Sequence, residues 1–283
     1  MLRNSLKTTI LLAAIGALFI GIGRIIGGPT GMVLGLVLGL AITGSSYWFS
    51  DKLAIKSAGA RPLEDGELPQ LRQMVSELAA EADMPMPRLY IAPSPQPNAF
   101  ATGRNPKHAA VAVTAGILEV LDERELRGVL AHELSHVKNR DILISSVAAS
   151  VGMAISLIAN FAMFFPSSSD DDERPNFVAM ILISILGPIA AGVLQMALSR
   201  SREFEADRSG AELMHGGEDL ARALLKIEAY AKQVPMNIDP SQAQAYIINP
   251  LTGREMNFKS LMSTHPPTAE RVARLREFSS VSR

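Results

Sequence analysis

Apolar positions along the chain gather into four stretches, at 8–26, 32–49, 142–165 and 177–198. Each is long enough to cross a bilayer as a helix, which takes about 20 residues. Between and after them lie two polar regions, 51–141 and 199–283, where the apolar period shortens. Leu68, Leu71, Met74, Val75 and Leu78 recur at helical spacing and predict a helix over 67–82, ended by Pro85 and Pro87. Residues 88–92 and 109–114 read as strands, and three prolines within 93–97 force an irregular loop between them. Asp122 and Glu125 have the spacing of a capping box and open a helix that turns Leu126, Val129 and Leu130 inward. Helices are expected again over 199–214, 220–231 and 268–278. Gly216 and Gly217 end the first of them, and 235–259 is loop-rich.

Composition agrees with lipid contact. Of 283 residues 48% are hydrophobic and only 19% charged, against about 25% in an ordinary soluble domain. Mean hydropathy is +0.18. The first stretch follows Arg3 and Lys7 but has no clear small-residue cleavage site, and a second stretch follows at once, so a retained hairpin is expected rather than a signal peptide. Gly31, Gly35 and Gly39 recur every fourth residue, a smooth face for helix packing. Basic residues cluster at Arg3/Lys7, Lys52/Lys56/Arg61, Lys138/Arg140 and Arg200/Arg202, all on one side of the four spans. That asymmetry puts both termini and both polar regions in the cytoplasm, with Trp48 as an interfacial anchor. A net charge of −1 gives no reason to expect a nucleic-acid partner. The chain has no cysteine, so any metal must be held by histidine and carboxylate.

The sharpest chemistry is His132-Glu133-Leu134-Ser135-His136. On a helix the two histidines are four apart and share a face, so both can ligate one zinc ion, and Glu133 can act as base on water at the metal. A catalytic zinc takes three protein ligands. The candidates for the third are Glu203, Glu205, Asp207, His215 and His265. Glu203 is favoured, because Glu203 and Asp207 share a helix face just past the fourth stretch, one to ligate and one to accept a hydrogen bond from a ligating histidine. Asp141, five residues past His136, either backs that histidine or only ends the helix. His108 reads as exposed, and His215 as a helix cap.

His-Glu-Leu-Ser-His, Ser-Arg-Ser-Arg-Glu-Phe-Glu-Ala-Asp at 199–207, Pro-Asn-Ala-Phe-Ala-Thr-Gly at 97–103 and Thr-His-Pro-Pro at 264–267 together resemble the HtpX membrane proteases, relatives of the eukaryotic CAAX prenyl endopeptidases. The resemblance covers essentially the whole chain. It implies a zinc endopeptidase of the bacterial inner membrane that takes part in quality control of membrane proteins. Its ligands would be His132, His136 and Glu203, with Asp207 as the orienting carboxylate and one zinc per chain. It also supports His265 and Arg271 as the groups that meet a tetrahedral oxyanion, although from sequence alone His265 before two prolines reads more often as a helix entry. Asn98 and Ala99 would lie along the substrate, with the strand at 109–114 offering its edge to an extended peptide.

The expected fold is therefore a mainly α membrane protein with four transmembrane helices and a small α+β zincin-like catalytic domain. A transmembrane hairpin at 1–50 precedes a catalytic part at 51–141. A second hairpin at 142–198 precedes a catalytic part at 199–283 that carries the third ligand. The expected partners are polypeptide substrates and the bilayer. A scaffold with a structural zinc is the rival reading, and it needs no base between the histidines. A transporter is disfavoured, because no span carries an acidic residue well inside it.

Overall fold

A computed structural model describes residues 2–141, 200–233, 247 and 266–281. The stretches at 142–165 and 177–198, most of the loop-rich segment and His265 lie outside the described residues. The chain forms two compact units, one of 1–49 with 143–195 and one of 50–142 with 196–283.

Helix α1 (Leu2–Ser57) carries the first two expected spans and is broken between them, where Gly27 (φ −136°) and Gly28 (φ +57°) leave helical geometry just before Pro29. Two arms result, and the glycine repeat lies where they meet. A Cβ on Gly31 would stand 2.1 Å from the Gly23 carbonyl oxygen, and one on Gly35 would stand 2.3 Å from that of Phe19. Side chains of any size at these positions would force the arms apart. On the second arm Val33, Leu34, Val37, Leu38 and Leu40 are each more than half exposed. Among the described residues no helix is long and apolar enough to cross a membrane.

The second unit is mostly helical around a small sheet. The strands are β1 (Arg61–Pro62), β2 (Arg88–Ala92), β3 (Ala99–Thr102) and β4 (Ala110–Thr114), in the order β1-β2-β4-β3. β4 runs parallel to β2, with Arg88 opposite Ala110, and antiparallel to β3, with Ala99 opposite Val113. The strand at 109–114 therefore has no edge to offer. Both of its sides are already paired, and the edge beside the site belongs to β3. Sequence periodicity missed β3 because its four residues, Ala-Phe-Ala-Thr, are too short to show a pattern and are nearly all buried.

The helices are α2 (Pro69–Glu81), the short α3 (Ala115–Val120), α4 (Glu123–Asn139), α5 (200–213), α6 (Glu218–Gln233) and α7 (Thr268–Val281). The Thr114 hydroxyl, accepting from the Ile117 amide, caps α3 directly out of β4. The apolar faces expected for α2 and α4 meet in one core. Leu71, Val75 and Leu78 pack with Val129, Leu130 and Leu134, and α6 adds Leu220, Leu224 and Ile227. α4 is the hub, touching β3, α2 and α6, while α6 also carries α7.

α5 approaches α4 through Gly210. A Cβ there would lie 3.1 Å from both the Cα and the amide nitrogen of His132. This close approach sets the distance between the two helices that carry the candidate ligands. Gly210→Leu should therefore lower stability by about 1–3 kcal/mol through overpacking and weaken zinc binding together with it. Thermal unfolding and a chelator competition on the same preparation check this, and an unchanged metal affinity would contradict it.

Candidate metal centre

The site is built on α4, whose start is defined by a reciprocal cap. The Asp122 carboxylate accepts from the Glu125 amide (2.9 Å), and the Glu125 carboxylate accepts from the Asp122 amide (3.0 Å). From that start the helix runs three turns to His132 and one more to His136. It stops at Asn139, because Arg140 takes a left-handed conformation (φ +59°). The reversal carries the next residue back along the helix, so the buried Asp141 carboxylate lies 3.4 Å from His136 Nδ1. That settles the two readings of Asp141: it backs the histidine.

His132 and His136 face each other edge to face, with ring planes at 84° and their Nε2 atoms 3.2 Å apart. α5 brings Glu203 to the same point. Its Oε1 is 3.5 Å from His136 Nε2 and its Oε2 is 3.7 Å from His132 Nε2. On the far side of each ring Nδ1 faces a carboxylate, Asp207 at 3.0 Å for His132 and Asp141 at 3.4 Å for His136. A carboxylate beside each ring favours the proton on Nδ1. Both Nε2 lone pairs then converge with the Glu203 carboxylate, three electron-pair donors that one metal ion could hold together. The spacing suits zinc. Bonds of about 2.0–2.1 Å place tetrahedral ligands roughly 3.3 Å apart, and the three measured separations bracket that value. No other group of His, Asp and Glu among the described residues has this arrangement.

The surroundings hold negative charge. Burial pulls the His136 imidazole toward neutrality, but the Asp141 hydrogen bond and the charges of Glu203 and Glu133 outweigh it and raise its pKa to about 9. A divalent cation answers the same field. Burial alone would push the Asp207 carboxyl up, yet Arg271 and His132 hold it down at about 2.

Arg271 comes from α7 and is the largest fully buried side chain among the described residues. Its guanidinium makes a two-point bond to Asp207 (Nε to Oδ2 2.8 Å, Nη2 to Oδ1 2.7 Å) and donates to the Ile247 carbonyl (2.8 Å). It also stands 3.4 Å from Glu203 Oε2 and 3.3 Å from His132 Nε2. These bonds engage every nitrogen of the guanidinium. Its geometry suits holding Asp207 and Glu203 in place more directly than turning toward an oxyanion.

Glu133 lies on α4 one residue past His132 and is nearly buried. Its Oε2 accepts a 2.9 Å bond from the Ala101 amide in β3, which fixes the carboxylate against the sheet edge. Asn98 and Ala99 precede this point and are buried. The Asn98 side chain accepts from the Ile247 amide (3.1 Å), its own amide donates to Thr114 Oγ1 (2.9 Å), and Ala99 is paired in the sheet. A peptide lying beside them would meet the β3 backbone rather than these side chains. The structure thus joins His132, His136, Glu203, Asp207, Arg271 and Glu133 in one cluster. Sequence reasoning missed the Ala101 amide and the Ile247 carbonyl, which are backbone groups and leave no mark on residue identity. Of the other histidines, His108 is exposed beside Asn105 and His215 takes the left-handed conformation (φ +53°) that closes α5.

The model of Peptidase family M48 matches residues 66–279. A protein described as "Protease HtpX homolog" from Methylibium petroleiphilum is 52% identical over 275 residues, covering 96% of each chain. Another of that description, from Burkholderia thailandensis, is 51% identical over 283 residues, covering 99% of each. The crystal structure of S. mikatae Ste24p has the same fold at a TM-score of 0.57 and 20% identity. The match covers 96% of this chain but spans only 65% of the length of that one.

Proposed function

The chain belongs to peptidase family M48 and is a metalloprotease, and from that premise we propose that it is a membrane-embedded endopeptidase holding one zinc ion. It cleaves misfolded membrane proteins on the cytoplasmic side of the bacterial inner membrane, as proteolytic quality control. The observation that carries the reading is the convergence of His132, His136 and Glu203. Zinc bound by these three would supply a Lewis acid that polarises a peptide carbonyl and acidifies water. The protein's own groups do the rest. Glu133, steadied by the Ala101 amide, takes the proton from the attacking water and delivers it to the departing amide nitrogen. Asp207 and Asp141 hold the two imidazoles in the tautomer that leaves Nε2 free to ligate. Arg271 holds Asp207 and Glu203 in turn. His265 remains the candidate for meeting the oxyanion. Among the described residues β3 is an edge strand, and its outer side suits an extended polypeptide, which would add to the sheet there.

Membrane residence is supported by the four apolar stretches, by the one-sided basic clusters and by the exposed apolar face of α1. In this reading 8–26, 32–49, 142–165 and 177–198 span the bilayer, and both termini lie in the cytoplasm. Chelation of the detergent-purified chain should abolish cleavage of an unfolded polypeptide such as casein, and added zinc should restore it. Cleavage that survives complete removal of metal would refute the reading.

A further inference from the structure

Outside the protease site the described residues carry a second constellation of charge. A cleft of about 330 Å³ is lined by Asp51, Lys52, Ile55, Lys56, Arg88 and Tyr90. Its floor is held by the Asp51–Arg88 ion pair at 2.6 Å, which ties the end of α1 to the start of β2. Three cationic residues and one carboxylate thus line the cleft, and burial of that carboxyl is outweighed by its bond to Arg88, so it stays ionised. Lys52 and Lys56 are four apart and share a helix face. Tyr90 and Ile55 complete the lining. Clustered ammonium and guanidinium groups suit the oxygens of a phosphate ester.

We propose that this cleft binds the phosphate headgroup of an anionic membrane lipid. The proposal rests on the membrane reading above, because lipid is favoured over free phosphate by where the lysines fall. Lys52 and Lys56 follow the apolar stretch 32–49 by three and seven residues on the same helix. At about 1.5 Å per helical residue they fall roughly 5 and 10 Å beyond its end. The headgroup layer is about 5–8 Å thick on each side of the hydrocarbon, and lysine side chains reach several ångströms to either side. The cleft thus has the charge and the depth for a phosphodiester.

Full-length protein in detergent, titrated with phosphatidylglycerol or phosphatidylcholine and followed by native mass spectrometry, tests this. Phosphatidylglycerol should bind more tightly by roughly thirtyfold, the effect of two lysines near a charged surface. Lys52→Gln with Lys56→Gln should remove the preference while zinc content and cleavage stay at wild-type values. Lys107→Gln with Lys232→Gln, which removes the same charge elsewhere, should keep it. Equal affinity for the two lipids, or equal loss in both double variants, overturns the site. Inorganic phosphate that binds as tightly as phosphatidylglycerol overturns the choice of lipid. Failure of the membrane reading looks different, because the chain would then leave membranes in an alkaline wash without detergent. A chain that needs detergent and shows no lipid preference refutes the headgroup site alone.

Discussion

Glu133→Gln should slow peptide cleavage by about 10²–10⁴-fold, the usual contribution of a general base, and leave the zinc content of the purified protein unchanged. Glutamine has the shape of glutamate and can still accept from the Ala101 amide through its carbonyl oxygen, so the local packing persists. What it loses is the capacity to take a proton. The three atoms that converge on the metal position belong to His132, His136 and Glu203, so the metal site stays intact. The loss should appear in kcat with little change in KM, because the base acts in the transition state rather than in binding. This result also separates a protease from a scaffold with structural zinc, in which the residue between the histidines has no work to do. Wild-type cleavage by Glu133→Gln would remove Glu133 from the mechanism.

Arg271→Leu should destabilise the protein by about 3–5 kcal/mol, the typical cost of stranding one partner of a buried ion pair. For a unit of this size that corresponds to a melting temperature lower by roughly 6–20 °C. The substitution leaves Asp207 and Glu203 without a guanidinium in a space where Arg271 is 1% exposed. Arg271→Lys should recover only part of the loss, because an ammonium cannot span both Asp207 oxygens. The pH dependence has a defined sign. Asp207 has its pKa lowered from 3.8 to about 2 in the folded protein. Its stabilisation is therefore complete above the unfolded value and disappears as pH falls through the folded one. In Arg271→Leu much of that contribution is already missing at neutral pH, so the stability gap to wild type should narrow as pH falls toward the folded value. An Arg271→Leu protein that melts like wild type would show that the ion pair does not hold the site.

Much of this site could be read before any coordinates. The His-Glu-x-x-His spacing fixes its own geometry on a helix, and the Asp122/Glu125 cap placed the start of that helix where it is observed. Glu203 and Asp207 could be paired because helical spacing puts them on one face, and the structure gives them separate partners, the two Nε2 atoms and one Nδ1. Local rules stop where long-range pairing begins. β1 and β3, of two and four residues, are strands only because β2 and β4 lie beside them. The backing of His136 by Asp141 depends on one left-handed residue, Arg140, which is not a glycine and gives no warning in the sequence. Arg271 enters from the sequence only through the family resemblance, paired with His265 as a group for the oxyanion. Its burial among Asp207, Glu203 and the Ile247 carbonyl follows from packing between helices that lie far apart in the chain.

Zinc K-edge X-ray absorption, combined with metal analysis of the purified full-length protein, measures most directly whether α4 and α5 together clamp one ion. Wild type should contain one zinc per chain with two imidazole ligands at about 2.0–2.1 Å and oxygen donors in the rest of the shell, and His136→Ala and Glu203→Ala should each lose most of the metal. Wild-type zinc content in both variants, or a spectrum without imidazole scattering, would contradict it.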